Sequence, residues 1–290
     1  MQEKTKADYR KLATYFYATH IPGQPPSPKR IKDALAKFAP ECRPNYWLRL
    51  RGALAFDQEE KGYKEVAELL RKMKNPVREK GLPIKPKQRR VKTISDIDEE
   101  RLIEALFRVE DTPVISGLYI AKFTGVRPAE MWDLRIQDGR VVVIGAKKSH
   151  SGQRGADREI LIDPSLMETM QSLIAGLRSK GDKDVAAIQH RLRNTCEKLW
   201  PRRKAWPTLY TWRHQMGSNL RAAGRDRLEV AYIMGHQSTK SVDQYGDKRT
   251  ANTGTLLPRV PEGTDLSRIR VKHREFKLAA PDPDFDFGFD

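Results

Sequence analysis

The chain alternates between stretches whose apolar residues recur every three or four positions and short polar stretches broken by proline and glycine. Residues 4–19 carry Tyr9, Leu12 and Phe16 at helical spacing and predict an amphipathic helix. PGQPPSP at 22–28 predicts a loop, in which Ser27 can cap the next helix and Pro28 suits its first turn. Ile31, Leu35 and Phe38 then share one helix face. Pro44 opens a third helix with Trp47, Leu50 and Leu54 along one side. Val66, Leu69, Leu70 and Met73 mark a fourth, stopped by Pro76. Residues 1–81 therefore predict a small all-helical domain.

The pattern then lapses. Over 82–95 two prolines disfavour regular structure, and Lys85, Lys87, Arg89, Arg90 and Lys92 fall together without an acid between them. This is a basic linker. A flexible tether has no need of that charge, whereas a strap along a phosphate backbone does, so these five bases are DNA-binding candidates.

Ser95 or Asp96 starts a second domain, assigned to 96–260. Leu102, Ile103, Leu106 and Phe107 predict one helix and Ile115, Leu118, Tyr119 and Phe123 another, over about 112–124. TGVRPAE at 124–130 follows, with Pro128 set to open a new helix and Arg127 at its mouth. RVVVIGAKKSHSGQRGADREILID at 140–163 reads as strand, long basic turn, strand. Pro164 begins a helix carrying Leu166, Met170, Leu173 and Leu177, and another covers about 184–200. Pro207 starts the helix that bears Arg213. After a break at Gly224 come Leu228, Val230 and Ile233, then Gly235 and His236, then a helix delivering Tyr245. A C-terminal segment, 261–290, contains a last predicted helix over 267–278 and an acidic tail. The fold class is mainly α with a small β-hairpin or sheet, in two domains.

Composition sharpens the function class. With Lys and Arg at 55 against 38 acids, the formal charge is +17. The final PDPDFDFGFD holds four aspartates and no base, so the rest is more basic still. Such an excess favours a polyanion, and nucleic acid before membrane, since no long apolar or amphipathic anchor accompanies it. Cys42 and Cys196 are too few for a disulfide framework, and no Cys/His cluster has zinc spacing, so neither metal nor cofactor is expected. The charged N-terminus lacks an apolar signal core, which predicts a cytoplasmic, nucleoid-associated protein.

TGVRPAEMWDL, a hairpin with Lys147 and Lys148, YTWRH and MGHQSTKSVDQY occur in that order over about 98–250. This ordered set resembles the tyrosine recombinase (phage integrase) family, which includes the Xer and Cre recombinases. Any one box is a weak signal; together they are a strong one. Taken singly, Arg127 or Arg213 is more often a salt bridge, the lysines a solvated turn and Tyr245 a packing residue.

The resemblance implies a site-specific recombinase or integrase acting on double-stranded DNA at a specific core site. Tyr245 would attack phosphorus and hold the strand as a 3′-phosphotyrosine. Arg127 and Arg213 would clamp the non-bridging oxygens, and His236 would hydrogen-bond the phosphate. Lys147 would protonate the leaving 5′-oxygen; Lys148 beside it would exchange roles with it on a one-residue slip, and strand alternation lets only one of them reach. Glu130 matches a family acidic position that orients a base. The resemblance further implies a C-shaped clamp on DNA, its N-terminal lobe the core-DNA-binding domain, a homotetramer on two DNA sites, no cofactor, and accessory directionality proteins. The short region before the catalytic domain argues for a simple Xer/Cre-like architecture without a separate arm-site domain.

One position departs from the family. Tyr210 stands where a histidine usually precedes the second arginine by three residues. A phenol can donate to a phosphate oxygen but accepts a proton poorly at neutral pH, so the general base is left open among water, His236 and arginine activation alone. His214 is about 100° round the helix from Arg213 and reads as structural. Two competing functions remain: a type IB topoisomerase-like enzyme, and a catalytically impaired recombinase-like DNA-binding regulator. The tail over 281–290 reads either as a solvating segment or as one that docks on a basic groove and restrains activity.

Overall fold

Ser27 caps the second helix of this chain: in the computed structural model its hydroxyl accepts from the Arg30 N–H at 3.4 Å, with Pro28 in the first turn. The structure describes residues 1, 3–146, 157–182, 184–244, 250–252 and 256–271. They fall into two units, Met1–Gln88 and Arg89–Asp290.

The first unit contains α1 (Glu3–His20), α2 (Pro28–Phe38), α3 (Pro44–Glu60), α4 (Lys64–Lys72) and the single turn α5 (Pro76–Glu79). Phe16, Ile31, Leu35, Trp47, Leu50, Leu54 and Leu70 form its core. The Trp47 indole N–H donates to the Leu35 carbonyl at 2.8 Å, tying α3 to α2. Leu69 departs from expectation and is 64% exposed. The nine residues of α4 bury one stripe, Ala67 and Leu70, and a residue adjacent to Leu70 lies about 100° away from it.

Residues 81–90 are exposed throughout, and Lys92 is exposed as well. No helix or strand occurs between Leu82 and Ser95. The Lys85 ammonium donates to the Glu41 carbonyl at 2.7 Å. The Val91 carbonyl accepts from the Thr211 hydroxyl at 2.9 Å, and Ile94 is buried in the second core.

The second unit begins with α6 (Asp96–Arg108), capped by the Ser95 hydroxyl, and α7 (Thr112–Thr124). Later come α8 (Met167–Gly176), α9 (Val185–Leu199), α10 (Leu209–Ala222) and α11 (Arg227–Ile233). Leu102, Leu106, Leu118, Ile188, Trp212 and Ile233 belong to its core. Glu99 of α6 is nearly buried and fastens two helices, accepting from Lys122 Nζ of α7 at 2.9 Å and from the Trp212 indole N–H of α10 at 3.0 Å.

A three-stranded antiparallel sheet in the order β1 (Arg135–Gln137), β2 (Arg140–Val143), β3 (Arg158–Ile160) lies in this unit. The sequence pattern anticipated only β2 and β3. The extra strand turns back through Asp138 and Gly139, both at positive φ, the two-residue hairpin geometry that an Asp-Gly pair favours. Pro128 opens a 3₁₀ turn, Pro128–Asp133, instead of an α-helix. The described start of the predicted 267–278 helix is not helical: Ile269 is buried, and Arg270 bridges to Ser238 as a parallel neighbour. The backbone there satisfies itself across to another segment, with the Arg270 N–H donating to the Gln237 carbonyl at 3.1 Å. Among the described residues, no helix is long and apolar enough to cross a membrane.

Candidate active site

The C-terminus of α11 is the scaffold of the site. Gly235 takes a positive φ of 61°, and the helix closes in a Schellman motif: the His236 N–H donates to the Ala231 carbonyl at 2.7 Å, and the Gly235 N–H to the Tyr232 carbonyl at 2.8 Å. That leaves the next three carbonyls in line, Ile233, Met234 and Gly235. Each accepts from a different arginine. Arg158 Nε donates to Ile233 at 3.0 Å, Arg213 Nη2 to Met234, and Arg127 Nη2 to Gly235 at 2.7 Å. Cationic donors suit the negative end of a helix.

The three arginines come from distant parts of the chain. Arg127 sits between α7 and the 3₁₀ turn, Arg158 opens β3, and Arg213 is on α10. Arg213 is fully buried, its other Nη bound to the Gly125 carbonyl at the end of α7. The Arg127 side chain keeps 15% exposure.

Glu130 binds two of them. It is fully buried and accepts from Arg127 Nη1 at 2.6 Å, from the Arg127 backbone N–H at 2.9 Å and from Arg158 Nη2 at 3.0 Å. Burial pushes the carboxyl up; the charge and hydrogen bond of Arg158, with those of Arg127, more than reverse this and hold it at about 2. Glu130 is therefore a carboxylate that orients arginines.

His236 is 7% exposed, with Nε2 at 3.2 Å from Arg213 Nη2. A guanidinium only donates, so Nε2 accepts and the ring proton lies on Nδ1. Burial, then the charges of Arg213, Arg127 and Arg158, push its pKa down to about 2, so the imidazole is neutral.

Of the sequence-predicted residues, Arg127, Arg213 and His236 thus meet at one turn. Tyr210, 39% exposed near the start of α10, has no hydrogen bond among the described residues. His214, one turn later, is half-buried, and burial, Lys92, Arg213 and Arg90 together push its pKa down to about 4. Two bases of the basic strap therefore bear on α10. Tyr245, Lys147, Lys148 and the tail over 281–290 lie outside the described residues. The segments flanking Tyr245 are tied within the unit. Before it, Arg227 Nη2 donates to Asp243 at 2.8 Å and to the Thr239 carbonyl at 3.2 Å. After it, Gln215 of α10 donates to the Thr250 carbonyl, and the Asn252 N–H donates to Asn219 Oδ1 at 2.9 Å.

Arg158 is the residue that sequence reasoning passed over. The signal was available: it alternates with Ile160 and Ile162, so a strand that buries the two isoleucines also buries the arginine. A charge on an inward face calls for a partner. Among the described residues, no group of three or more His, Cys, Asp or Glu could hold a metal ion.

No protein-family model matches the chain, and no curated protein matches it. Solved structures do. A lambda integrase(75–356) dimer bound to a COC′ core site aligns with a TM-score of 0.58 at 17% identity, over 88% of this chain and 93% of that one. A lambda integrase tetramer bound to a Holliday junction gives 0.58 at 17%, over 88% and 75%. The Tn1549 transposon integrase (aa 82–397) in complex with circular intermediate DNA gives 0.54 at 15%, over 85% and 90%.

Proposed function

From the tyrosine recombinase/integrase fold of this chain, we propose that it is a site-specific DNA recombinase that cuts and rejoins duplex DNA through a 3′-phosphotyrosine. The observation that carries this reading is the convergence of Arg127, Arg213 and His236 on the turn at Gly235, with Tyr245 nine residues beyond the histidine on a segment tied at both ends.

In this reading the Tyr245 phenol oxygen bonds to phosphorus as the 5′-oxygen departs. The leaving oxygen takes a proton from Lys147 or Lys148. Rejoining reverses these steps with the 5′-hydroxyl of a new partner, so the phosphoester bond energy is conserved in the tyrosyl ester. Arg127 offers its remaining N–H groups to the non-bridging oxygens, where negative charge accumulates in the transition state. Arg213 is closed to solvent in the DNA-free chain, so its contact with the phosphate calls for a local shift on binding. Glu130 holds Arg127 flat. His236, neutral beforehand, gains proton affinity as the phosphodiester brings negative charge to it. Tyr210, exposed on α10 one turn before Arg213, donates to a phosphate oxygen; water accepts the nucleophile's proton. The partners are duplex DNA with a core site and three further copies of this chain.

A duplex nicked near the cleavage point traps the intermediate, because the short 5′-hydroxyl fragment escapes. The wild type is expected to form a covalent adduct that Tyr245→Phe abolishes and that Arg127→Ala slows about a hundred- to a thousand-fold. Absence of any adduct on a footprinted cognate site would favour a DNA-binding regulator. Relaxation of plasmids lacking that site would favour a topoisomerase.

A further inference from the structure

Arg158 has no place in the reaction just described, yet it is a buried cation in direct contact with the residues that do. It is 4% exposed, on β3, with Ile160 on the same inward face. Stability alone does not ask for it, since a buried ion pair and a well-packed apolar substitute are often equally stable. Its Nη1 has no hydrogen-bond partner among the described residues, which counts against it further. Its other groups join two pieces of the site far apart in sequence. Nη2 reaches Glu130, which carries Arg127, at 3.0 Å. Nε reaches the Ile233 carbonyl, next to the carbonyl that Arg213 holds, at 3.0 Å. Gly235 lies between them: a Cβ there would fall 2.6 Å from Arg158 Nη1 and 2.9 Å from Arg127 Nη1. The two guanidiniums therefore press on one glycine.

We propose that Arg158 is a positioning residue of this centre: by clamping Glu130 and the end of α11 together, it sets Arg127 and His236 in the geometry that receives the phosphate. Its catalytic consequence rests on the recombinase reading; its structural consequence does not. Without Arg158, Glu130 keeps only Arg127 and can rotate, and the Ile233 carbonyl is deprived of its donor. The turn at Gly235 then holds through its backbone, Arg213 and an Arg127 whose carboxylate support is loosened. Lysine preserves the charge but, with one nitrogen at its tip, cannot make both bonds in the fixed fork of arginine.

The test uses the full chain as Arg158→Gln and Arg158→Lys, with Arg140→Gln as a control on the neighbouring strand, where Arg140 and Glu159 pair in the open. Amide hydrogen exchange is read in the DNA-free chain; DNA affinity and single-turnover cleavage are read on the nicked duplex. Arg158→Gln is expected to exchange the Gly235 and His236 amides about ten-fold faster and to cleave roughly 10–100-fold slower, with DNA affinity within about three-fold, and Arg158→Lys to fall between it and wild type. Unchanged exchange at Gly235 and His236 would overturn the proposal. So would a cleavage loss matched by an equal loss of affinity, or faster exchange spread evenly over the whole second unit. Should Arg158→Gln fail to fold, Arg158→Lys carries the same decision. If wild type forms no adduct at all, the recombinase reading fails, while the exchange result still decides whether Arg158 holds the turn.

Discussion

At the scale of single residues, Gly235 is the most constrained position of the site. Its backbone is left-handed, and a methyl group there would meet Arg158 and Arg127 guanidinium atoms at under 3 Å, side-chain ends that can yield only by giving up their hydrogen bonds to Glu130, Ile233 and Gly235. Gly235→Ala is expected to lower the free energy of unfolding by about 2–4 kcal/mol, from φ strain of roughly 1–2 kcal/mol plus the displacement of two guanidiniums, measured by urea titration. A change below about 0.5 kcal/mol, the range of ordinary surface substitutions, would mean that the clamp is looser than drawn. His236 and His214 make a second, independent expectation. Both fold with pKa values well below that of a free imidazole, at about 2 and about 4. The unfolded chain therefore takes up protons that the folded chain refuses. Stability should be level above about pH 6.5 and fall below it, by at most about 1.4 kcal/mol per pH unit for the buried His236 and by less for the half-buried, solvent-screened His214. His236→Gln should flatten that fall; an unchanged slope would show that the imidazole is not excluded from protonation by the fold.

At the scale of elements, the segment leading to Tyr245 is held by α11. Arg227 opens that helix and binds Asp243 and the Thr239 carbonyl. The pair is partly exposed, so its net stabilisation is small, about 0–1 kcal/mol. Its effect on geometry is larger in the recombinase reading, because Tyr245, the nucleophile of the proposed reaction, follows two residues later. Arg227→Ala should leave the unfolding midpoint nearly unmoved and slow adduct formation roughly ten-fold at saturating DNA, through poorer near-attack alignment. Equal rates would place the control of Tyr245 elsewhere. The elements themselves were legible to different degrees, for physical reasons. Helices such as α2 and α6 announced themselves because each buries one stripe against a core, whereas α7 and α10 are buried on nearly all sides. α4 misled at Leu69 because apolar residues outnumber the positions its stripe can bury. β1 escaped because three residues show no period, although Asp138-Gly139 marked the hairpin. The site was legible where motif spacing tied residues together, as with Arg127, Arg213 and His236. It was not legible at Arg158, whose partners Glu130 and Ile233 adjoin it only in the folded chain. Nor does any spacing rule say that three arginines divide three successive carbonyls among them.

At the scale of the whole molecule, a charge of +17 favours a polyanion; in the recombinase reading that is duplex DNA, and the question is which bases carry the contact. The strap has the needed features. Lys87 and Arg89 are exposed, have no ion pair among the described residues, and lie in a stretch without helix or strand that can follow a backbone. Arg90 and Lys92 differ, since their charges bear on His214 of α10, so replacing them would also alter the surroundings of that helix. Lys85 differs again, with its ammonium on the Glu41 carbonyl. Lys87 and Arg89 therefore isolate the electrostatic role. The double substitution to Gln should reduce the slope of log K against log salt by about 1.8 for duplex DNA, roughly 0.9 for each phosphate no longer neutralised, equally for cognate and random sequence. Base preference should be untouched, because a side chain on a phosphate positions the protein without reading sequence. A slope equal to wild type would put the strap off the backbone. A weakening confined to the cognate site would make these residues readers of bases, leaving the phosphates to other lysines and arginines of the chain.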